Sequence, residues 1–301
     1  MNTLIVGSVA YDGIETIHGT VDRVLGGSAT YASLAASFFG PVMLVGVVGE
    51  DFQEEHLLAL KARGIDLSGL ERREGRTFYW RGRYSPDFLS RTTLTTELNV
   101  FAHFEPVLPE EYRSAPFVFL ANIAPQLQAR VLEQVDSPHL VLADTMNLWI
   151  ETAREELVDL LKRVNLLVLN DEEARQLTGE DNLIRAGRRL LTLGPARVII
   201  KKGEHGAIAF SEDDYFVAPA YPLEQVVDPT GAGDSFAGAL VGYLAAAETL
   251  TEGTLRRAIL YATAVASLAV EDFGPNRLLS ASPDEVQDRV ETIRRLMAVE
   301  S

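Results

Sequence analysis

The chain has 301 residues, of which 47% are hydrophobic and 23% charged, as expected for a soluble globular protein with a large core. Its net charge of −16 and its pI near 4.8 argue against nucleic acid and anionic membranes as partners. The lack of cysteine excludes disulfides, thiolate metal sites and a cysteine nucleophile, and the five histidines have no metal-binding spacing.

The N-terminal residues run directly into an apolar segment and show no signal-peptide pattern. No apolar run reaches the roughly 20 residues that a membrane helix needs. We therefore expect a cytoplasmic protein without a membrane span.

The first elements read as an α/β pattern. Residues 4–10 have the continuous apolar character of a buried parallel strand, which we expect to end near Asp12. Residues 14–25 predict a hairpin, and Gly26-Gly27 then opens a helix of small residues. A second buried strand is predicted at residues 42–49.

Residues 72–104 differ from this pattern because they are rich in β-branched and aromatic side chains. They predict an antiparallel excursion from a parallel core. Six arginines are interspersed, at positions 72, 73, 76, 81, 83 and 91. The favoured interpretation is that they keep a sheet edge soluble. The alternative is a basic lid that faces an acidic or phosphorylated substrate.

Beyond residue 106 the α/β alternation resumes, with polar side chains where predicted strands end. Including the first strand, these residues are Asp12, Asn122, Asp144, Asn147, Asn170 and Glu173. In an open parallel sheet, ligands bind beyond the carboxyl ends of the strands. The placement therefore predicts a ligand site at this edge, independently of any motif.

Two of these strand ends have a more specific interpretation. Asn170 and Glu173 offer the hard oxygen ligands that suit Mg²⁺, although the same spacing suits a capping box at a helix start. The strand from residue 198 runs through Lys201-Lys202 into a turn bounded by Gly203 and Gly206. Either lysine could reach phosphates, but a solvated pair is the favoured interpretation.

The most informative segment is 228–236, Asp-Pro-Thr-Gly-Ala-Gly-Asp-Ser-Phe. Gly231 and Gly233 allow a tight turn and a close approach to a ligand, and the amides of the helix that follows favour an anion. A carboxylate at Asp234 is a poor neighbour for a phosphate unless it takes a proton from an attacking hydroxyl. The alternative is a turn in which Asp234 or Ser235 caps the helix.

Segment 228–236 resembles the C-terminal signature of the ribokinase-like (PfkB) carbohydrate kinases. The earlier double glycine, the Asn-x-x-Glu element and the lid insertion occur in the order expected for this family. The resemblance covers essentially the whole chain. It implies a three-layer α/β fold in one domain, residues 1–301, with a mostly parallel central sheet. A small β lid would come from insertions at about 13–25 and 72–104, and lids of this family often join two subunits, which suggests a homodimer.

The resemblance also implies a function, which is ATP-dependent phosphoryl transfer to a hydroxyl of a sugar or related polyol. Asp234 would be the general base, and Gly231, Ala232 and Gly233 would form the anion hole. Substrate contacts are implied for Asp12, Gly26, Gly27, Tyr31 and Asn122, and nucleotide contacts for Asn170, Lys202, Gly203, Gly206, Thr230 and Asn276. Asn170 and Glu173 would position Mg²⁺ through water, and Asp228 matches a position that holds a monovalent cation such as K⁺ in some members.

Two alternatives remain open. Many members have Asn where this chain has Tyr31, so a nucleoside kinase of the same family is one of them. The other is a non-catalytic ligand sensor on the same fold, against which the intact Asp234 argues. The sequence has no Walker motif, so the anion hole would have to hold the phosphates.

Overall fold

A computed structural model describes residues 1–212, 214–247 and 250–298. Its strands are β1 (Thr3–Val6), β2 (Ala10–Thr16), β3 (Gly19–Gly26), β4 (Val42–Gly49), β5 (Ile65–Arg73), β6 (Phe78–Tyr84), β7 (Arg91–Glu97), β8 (Phe117–Leu120), β9 (Leu140–Asp144), β10 (Leu166–Asn170), β11 (Arg197–Lys201), β12 (Ala207–Phe210) and β13 (Tyr215–Ala218). Its helices are α1 (Ser28–Ala36), α2 (Glu54–Ala62), α3 (Pro125–Leu132), α4 (Asn147–Thr152), α5 (Arg154–Leu161), α6 (Asp171–Thr178), α7 (Leu183–Leu191), α8 (Ala232–Ala246), α9 (Glu252–Ala269), α10 (Asn276–Ser280) and α11 (Pro283–Met297).

Within these ranges, nine strands form the central sheet, in the order β13-β12-β11-β10-β9-β8-β1-β4-β5. The strands from β11 to β5 in this order are parallel, whereas β12 and β13 are added antiparallel. Side chains alternate between two cores: Ile5 faces one, while Leu4 and Val6 face the other. Burial on both faces explains why the strands read as continuous apolar runs.

Helices cover both faces of the sheet, which confirms the predicted three-layer α/β architecture. α1, α8, α9 and α11 enclose one core, and α3, α5, α6 and α7 contribute to the cores on the other face. α8 approaches α1 very closely, because a Cβ on Gly238 would lie 2.2 Å from the Ala32 carbonyl oxygen. Glycine on α8 therefore brings two helices of the first layer into backbone contact. None of the described helices is long and apolar enough to cross a membrane.

A second sheet, in the order β3-β2-β6-β7, confirms the predicted smaller sheet, which we call the small sheet; its role as a lid stays a prediction. Its bounds differ from the prediction. The apolar run 4–10 is not one strand, because β1 ends at Val6 and the chain crosses into the small sheet at Ala10. Residues 72 and 73 belong to β5, and Asn99–His103 is a 3₁₀ turn. Because the residues on both sides of this crossing are buried, the apolar pattern of the sequence does not show it. The homodimer through this sheet stays a prediction.

One carboxylate ties the small sheet to the central sheet. Asp51, just after β4, accepts hydrogen bonds from the Thr77 backbone N–H and hydroxyl, both at 2.7 Å. Its other oxygen pairs with Arg23 of β3, also at 2.7 Å. The Tyr11 hydroxyl of β2 accepts from the Gln53 N–H at 2.9 Å. These contacts hold the small sheet at the end of β4 where the parallel strands finish.

Candidate active site

The signature segment forms the start of α8. Gly231 precedes the helix with φ 75° and no side chain caps it, so the capping role considered for Asp234 or Ser235 is wrong. The Ser235 hydroxyl instead donates to the Gly231 carbonyl oxygen at 2.7 Å. In the described chain, the backbone N–H groups of Gly231 and Gly233 donate to no backbone carbonyl, whereas that of Ala232 donates to the Pro229 carbonyl oxygen at 3.3 Å. Two amides are thus free for an anion, as at other helix starts.

Tyr31 of α1 lies directly against this turn. A Cβ on Gly231 would come within 2.3 Å of the Tyr31 ring, so both this contact and the positive φ require glycine. The tyrosine is buried, and within the described residues its hydroxyl has no hydrogen-bond partner. Burial raises the pKa of Tyr31, and so, to a smaller extent, does the Asp12 carboxylate. An unpaired buried hydroxyl beside acidic groups calls for a ligand or water as partner.

Asp12 faces the same space, but from the small sheet. It lies within β2 instead of at the end of a central strand, which corrects the expected position. A Cβ on Gly26 would lie 2.1 Å from Asp12 Oδ2, and Gly27 adopts φ 94° before α1. The double glycine therefore makes room for this carboxylate. Burial, followed by the Asp228 carboxylate, raises the pKa of Asp12 to about 8.

Asp228 stabilises the signature segment through hydrogen bonds from two backbone N–H groups. It is fully buried, and its two oxygens accept from the N–H groups of Thr230, at 2.9 Å, and Gly274, at 3.0 Å. The Thr230 hydroxyl lies 3.0 Å from the Tyr84 hydroxyl of β6, which joins the small sheet to this loop. The monovalent cation at Asp228 and the nucleotide contact of Thr230 stay predictions.

At the ends of β9 and β11, the structure pairs two charged side chains that the sequence did not connect. Asp144 Oδ2 lies 3.3 Å from Lys201 Nζ, and the side chains are only 6% and 17% exposed, respectively. The solvated pair favoured for the two lysines is therefore wrong for Lys201. A Cβ on Gly233 would lie 2.9 Å from Lys201 Nζ, so this ammonium adjoins the free amides. Lys202 is half-buried, and its N–H donates to the Gly206 carbonyl oxygen at 2.7 Å to close the hairpin turn.

Asn170 and Glu173 form the capping box that the sequence left open. Asn170 Oδ1 accepts from the Glu173 N–H at 2.8 Å, and Glu173 Oε2 accepts from the Asn170 N–H at 2.7 Å. Burial, followed by the Asp144 carboxylate, raises the pKa of Glu173 to about 7. The described chain has no group of three acidic or imidazole side chains that could hold a metal by itself. Glu173 keeps a second oxygen, Oε1, so its role toward magnesium through water stays a prediction.

Most arginines of the predicted basic lid are neutralised within the small sheet or beside it. Arg81 and Arg83 both pair with Glu15, at 2.7 and 2.6 Å, and Arg73 pairs with Glu71. Arg91 differs: its guanidinium lies 5.1 Å from the centre of the Trp80 ring, and its charge lowers the pKa values of several acids of the site. The sequence pattern did not separate Arg91 from the others because all six are interspersed in one segment rich in β-branched and aromatic residues.

The remaining residues predicted for the site have other hydrogen-bond partners, are exposed or lie in a turn. Asn122 is engaged on both sides, accepting from Trp149 Nε1 at 2.9 Å and donating to Met146 Sδ at 3.1 Å. Asn147 bonds to Gln176, and Asn276 is exposed at the start of α10. Gly203 and Gly206 lie in the β11–β12 turn. The substrate contact of Asn122 and the nucleotide contacts of the other predicted residues stay predictions.

Asp234 lies among the charged side chains and free amides described above. Burial, followed by the Asp144 carboxylate, raises the pKa of Asp234 to about 7, whereas Lys201 and Arg91 oppose the shift. A carboxylate that titrates near neutral pH can accept a proton from a hydroxyl. Next to it, free amides and an ammonium can hold an anionic group. This combination suits the transfer of a phosphoryl group to an alcohol.

Comparison with known proteins decides the family. The pfkB family of carbohydrate kinases matches residues 4–281. The chain belongs to this family. The cytidine kinase of Thermococcus kodakarensis is 30% identical over 251 residues, covering 81% of this chain and 88% of that protein. The ribokinase of Bacillus subtilis is 28% identical over 309 residues, covering 91% and 94%.

The fold is that of the ribokinase family. A putative ribokinase II from E. coli, solved with ATP and Mg²⁺, matches with a TM-score of 0.80 at 19% identity and covers 97% of this chain and 99% of its own. As a pfkB family member, the chain is a nucleotide-binding kinase whose phosphoryl acceptor is an alcohol group. We call Asp12, Asp144, Glu173 and Asp234 the acidic cluster. It lies at the carboxyl edge of the central sheet, where the polar residues at the strand ends predict a ligand site.

Proposed function

We propose that this kinase transfers the γ-phosphoryl group of ATP to a hydroxyl of a sugar or related polyol, with Asp234 as general base. One observation carries the proposal: a half-buried carboxylate, whose pKa is raised to about 7, lies at a helix start beside two unbonded backbone amides. A plain anion-binding site would gain nothing from a carboxylate there, because two unit charges about 5 Å apart repel by roughly 3 kcal/mol at an effective dielectric near 20.

In the proposed reaction, the acceptor hydroxyl gives its proton to Asp234 while its oxygen attacks the γ-phosphorus. The bond from that phosphorus to the β–γ bridging oxygen breaks, and ADP leaves with the electron pair. The free amides of Gly231 and Gly233 stabilise the negative charge on the transferring group. Proton transfer of this kind is efficient because the pKa of the base lies close to the working pH.

The acceptor would lie between the signature turn and the small sheet. Asp12 can accept hydrogen bonds from its hydroxyls, and the unpartnered Tyr31 hydroxyl offers a donor and an acceptor. Gly26 and Gly27 let the ligand approach the backbone at the start of α1. A compound with several hydroxyls would satisfy these buried groups, which an apolar ligand would leave unpaired.

The phosphoryl donor would be MgATP, as in the E. coli relative. Glu173 fits an outer magnesium ligand, because its position is fixed by the capping box while Oε1 stays free. Bound magnesium would neutralise phosphate charge. We expect Glu173→Gln to raise the Mg²⁺ concentration for half-maximal rate by about tenfold, the size typical of lost outer-shell partners. Initial rates in a magnesium titration measure this, and an unchanged magnesium dependence would remove Glu173 from the site.

The main test is Asp234→Asn. General-base catalysis is typically worth about 10² to 10⁴ in rate, so we expect kcat to fall at least about a hundredfold. ATP affinity should stay equal or improve, because a charge that repels phosphate is lost. The measurements are kcat from phosphorylated product and ATP Kd by calorimetry on one preparation. A variant that turns over normally would disprove the base assignment.

A nucleoside acceptor is the second candidate, favoured by Tyr31 in place of the family's Asn and by the likeness to a cytidine kinase. A phosphorylation screen over sugars, polyols, sugar phosphates and nucleosides separates the two. Preference for free sugars or polyols supports the first proposal, and preference for nucleosides supports the second. If no acceptor is phosphorylated although ligands bind, the non-catalytic sensor becomes the better account.

A further inference from the structure

The reaction proposed above assigns no step to the largely buried ion pair of Lys201 and Asp144. Both residues end parallel strands of the central sheet, β11 and β9, separated by β10. The register sets Lys201 beside Asn170. The pair therefore lies at the same edge as the signature turn, and its ammonium is next to Gly233.

Two features argue that this lysine does more than neutralise one aspartate. Its neighbourhood is strongly acidic, since the carboxylates of Asp144, Glu173 and Asp234 all act on the ammonium. Its contact with Asp144 is long for a charge-assisted hydrogen bond, 3.3 Å instead of about 2.8 Å. An ammonium has three N–H donors, so one weak partner leaves capacity for another acceptor.

A third feature is the open hydrogen-bonding capacity next to the pair. The Thr145 hydroxyl, directly after Asp144, is buried and has no partner in the part of the chain described here. Asp144 Oδ1 accepts the Thr145 N–H at 2.9 Å, which holds the carboxylate against its own strand end. Buried polar groups rarely stay unpaired, so an oxygen-rich ligand is expected in this corner.

We propose that Lys201 is a further catalytic residue, which contacts the non-bridging oxygens of the nucleoside triphosphate's terminal phosphoryl group, and that Asp144 is its positioning residue. The inference rests on the proposed function. During transfer, the acceptor oxygen bonds to the γ-phosphorus, its proton goes to Asp234, and the electron pair of the broken bond leaves on ADP. Lys201 stays protonated and acts only through its charge and its hydrogen bonds. ADP lacks the contacted group, whereas ATP carries it.

The test compares Lys201→Met with the parent protein. We expect kcat to fall at least about 100-fold, as when one stabilising donor is lost. Affinity for a non-hydrolysable ATP analogue with Mg²⁺ should fall at least about tenfold, as for a hydrogen bond to a charged group, while ADP affinity changes less than threefold. Calorimetry measures both affinities. Asp144→Asn should give the same split in smaller measure, with kcat lowered by about tenfold.

A double variant, Lys201→Met with Asp144→Asn, distinguishes catalysis from mere charge balance. It removes both charges, so it leaves no unpaired ion and should recover the thermal stability that either single variant loses. The proposal expects kcat and analogue affinity to stay low in the double variant. If Lys201 only neutralises Asp144, both recover together with stability, and the proposal is overturned.

Lys162→Met is the matched control, because Lys162 also pairs with an aspartate, Asp159, but is 63% exposed outside the site. Its kcat and affinities should equal those of the parent. Equal losses of analogue and ADP affinity in Lys201→Met would also overturn the proposal. If the parent forms no phosphorylated product, the proposed function fails, while the comparison of analogue with ADP still tests Lys201.

Discussion

At the residue scale, the site places several carboxylates in a small volume and holds them with few cations. Asp12 and Asp234 both titrate near neutral pH because burial and neighbouring carboxylates disfavour their charged forms. Without ligands, such a cluster opposes folding at high pH. With the proposed ligands bound, the same groups would meet hydroxyls and a magnesium–phosphate complex, which favour the charged forms.

The pH dependence of stability tests this view. The folded pKa of Asp234, about 7, lies above its ordinary value of 3.8. The native state therefore holds this proton more tightly, and the stability it confers is lost as pH rises through the folded pKa. We expect Asp234→Asn to raise the Tm of the ligand-free protein by about 3–6 °C at pH 8.5 and by about half as much at pH 5.5, because pH 5.5 lies midway between the unfolded and folded pKa values.

Differential scanning calorimetry at the two pH values gives these shifts. Asp159→Asn serves as control because this aspartate is exposed, on α5, and pairs only with the exposed Lys162 in the described chain. Its Tm change should be small and similar at both pH values. A shift for Asp234→Asn that is equal at pH 5.5 and 8.5 would contradict a half-buried carboxylate with a raised pKa.

At the element scale, the small sheet is attached to the rest of the chain at two places, the end of β4 and the signature loop. Asp51 fixes it to the end of β4, whereas the Tyr84–Thr230 contact, at 3.0 Å, joins it to the signature loop. Elements with few buried contacts open at low free-energy cost. We therefore predict that the sheet opens at the signature side and closes when an acceptor binds.

Amide hydrogen exchange tests the closing motion. We expect acceptor binding to slow exchange in residues 78–97 more than nucleotide binding does, because closure excludes water from the reacting hydroxyl. Tyr84→Phe should speed exchange there by about 2–10-fold in the ligand-free protein, as for the loss of one hydrogen bond. Thr93→Val is the control, since it removes a bond to Trp80 within the sheet. Acceptor protection confined to residues 201–236 would mean that this sheet does not close over the acceptor.

At the scale of the whole molecule, the sequence predicted the layers and most strand positions because each parallel strand is a distinct apolar run. It did not show that the run 4–10 crosses between two sheets, since Ala10 and Tyr11 are buried like β1 itself. The polar strand ends in the sequence predicted that Asp144 lies at the ligand site, whereas Lys201 was predicted to be solvated. Two adjacent lysines look alike in a sequence, and only the direction of the strand decides which one is buried.

A stability prediction belongs to this scale. A Cβ on Gly238 would meet the backbone of Ala32 at 2.2 Å, so Gly238→Ala must separate α8 from α1. We expect the free energy of unfolding to fall by about 1–3 kcal/mol, because overpacking outweighs the gain in helix propensity. Denaturant unfolding measures this. Gly253→Ala is the control: its Cβ would have no neighbour closer than 3.7 Å, so equal losses in both variants would rule out the packing argument.

The parallel pairing of β2 with β6 has a consequence for how the protein is made. The segment between these strands holds β3, α1, β4, α2 and β5, so the small sheet cannot close until three of the nine central strands have been synthesised. Pairings so distant along the chain form slowly, because loop closure must precede the contact. Asp12 leaves the ribosome 222 residues before Asp234. A nascent chain therefore carries one half of the proposed acceptor site, unpaired and acidic, until those residues have been added.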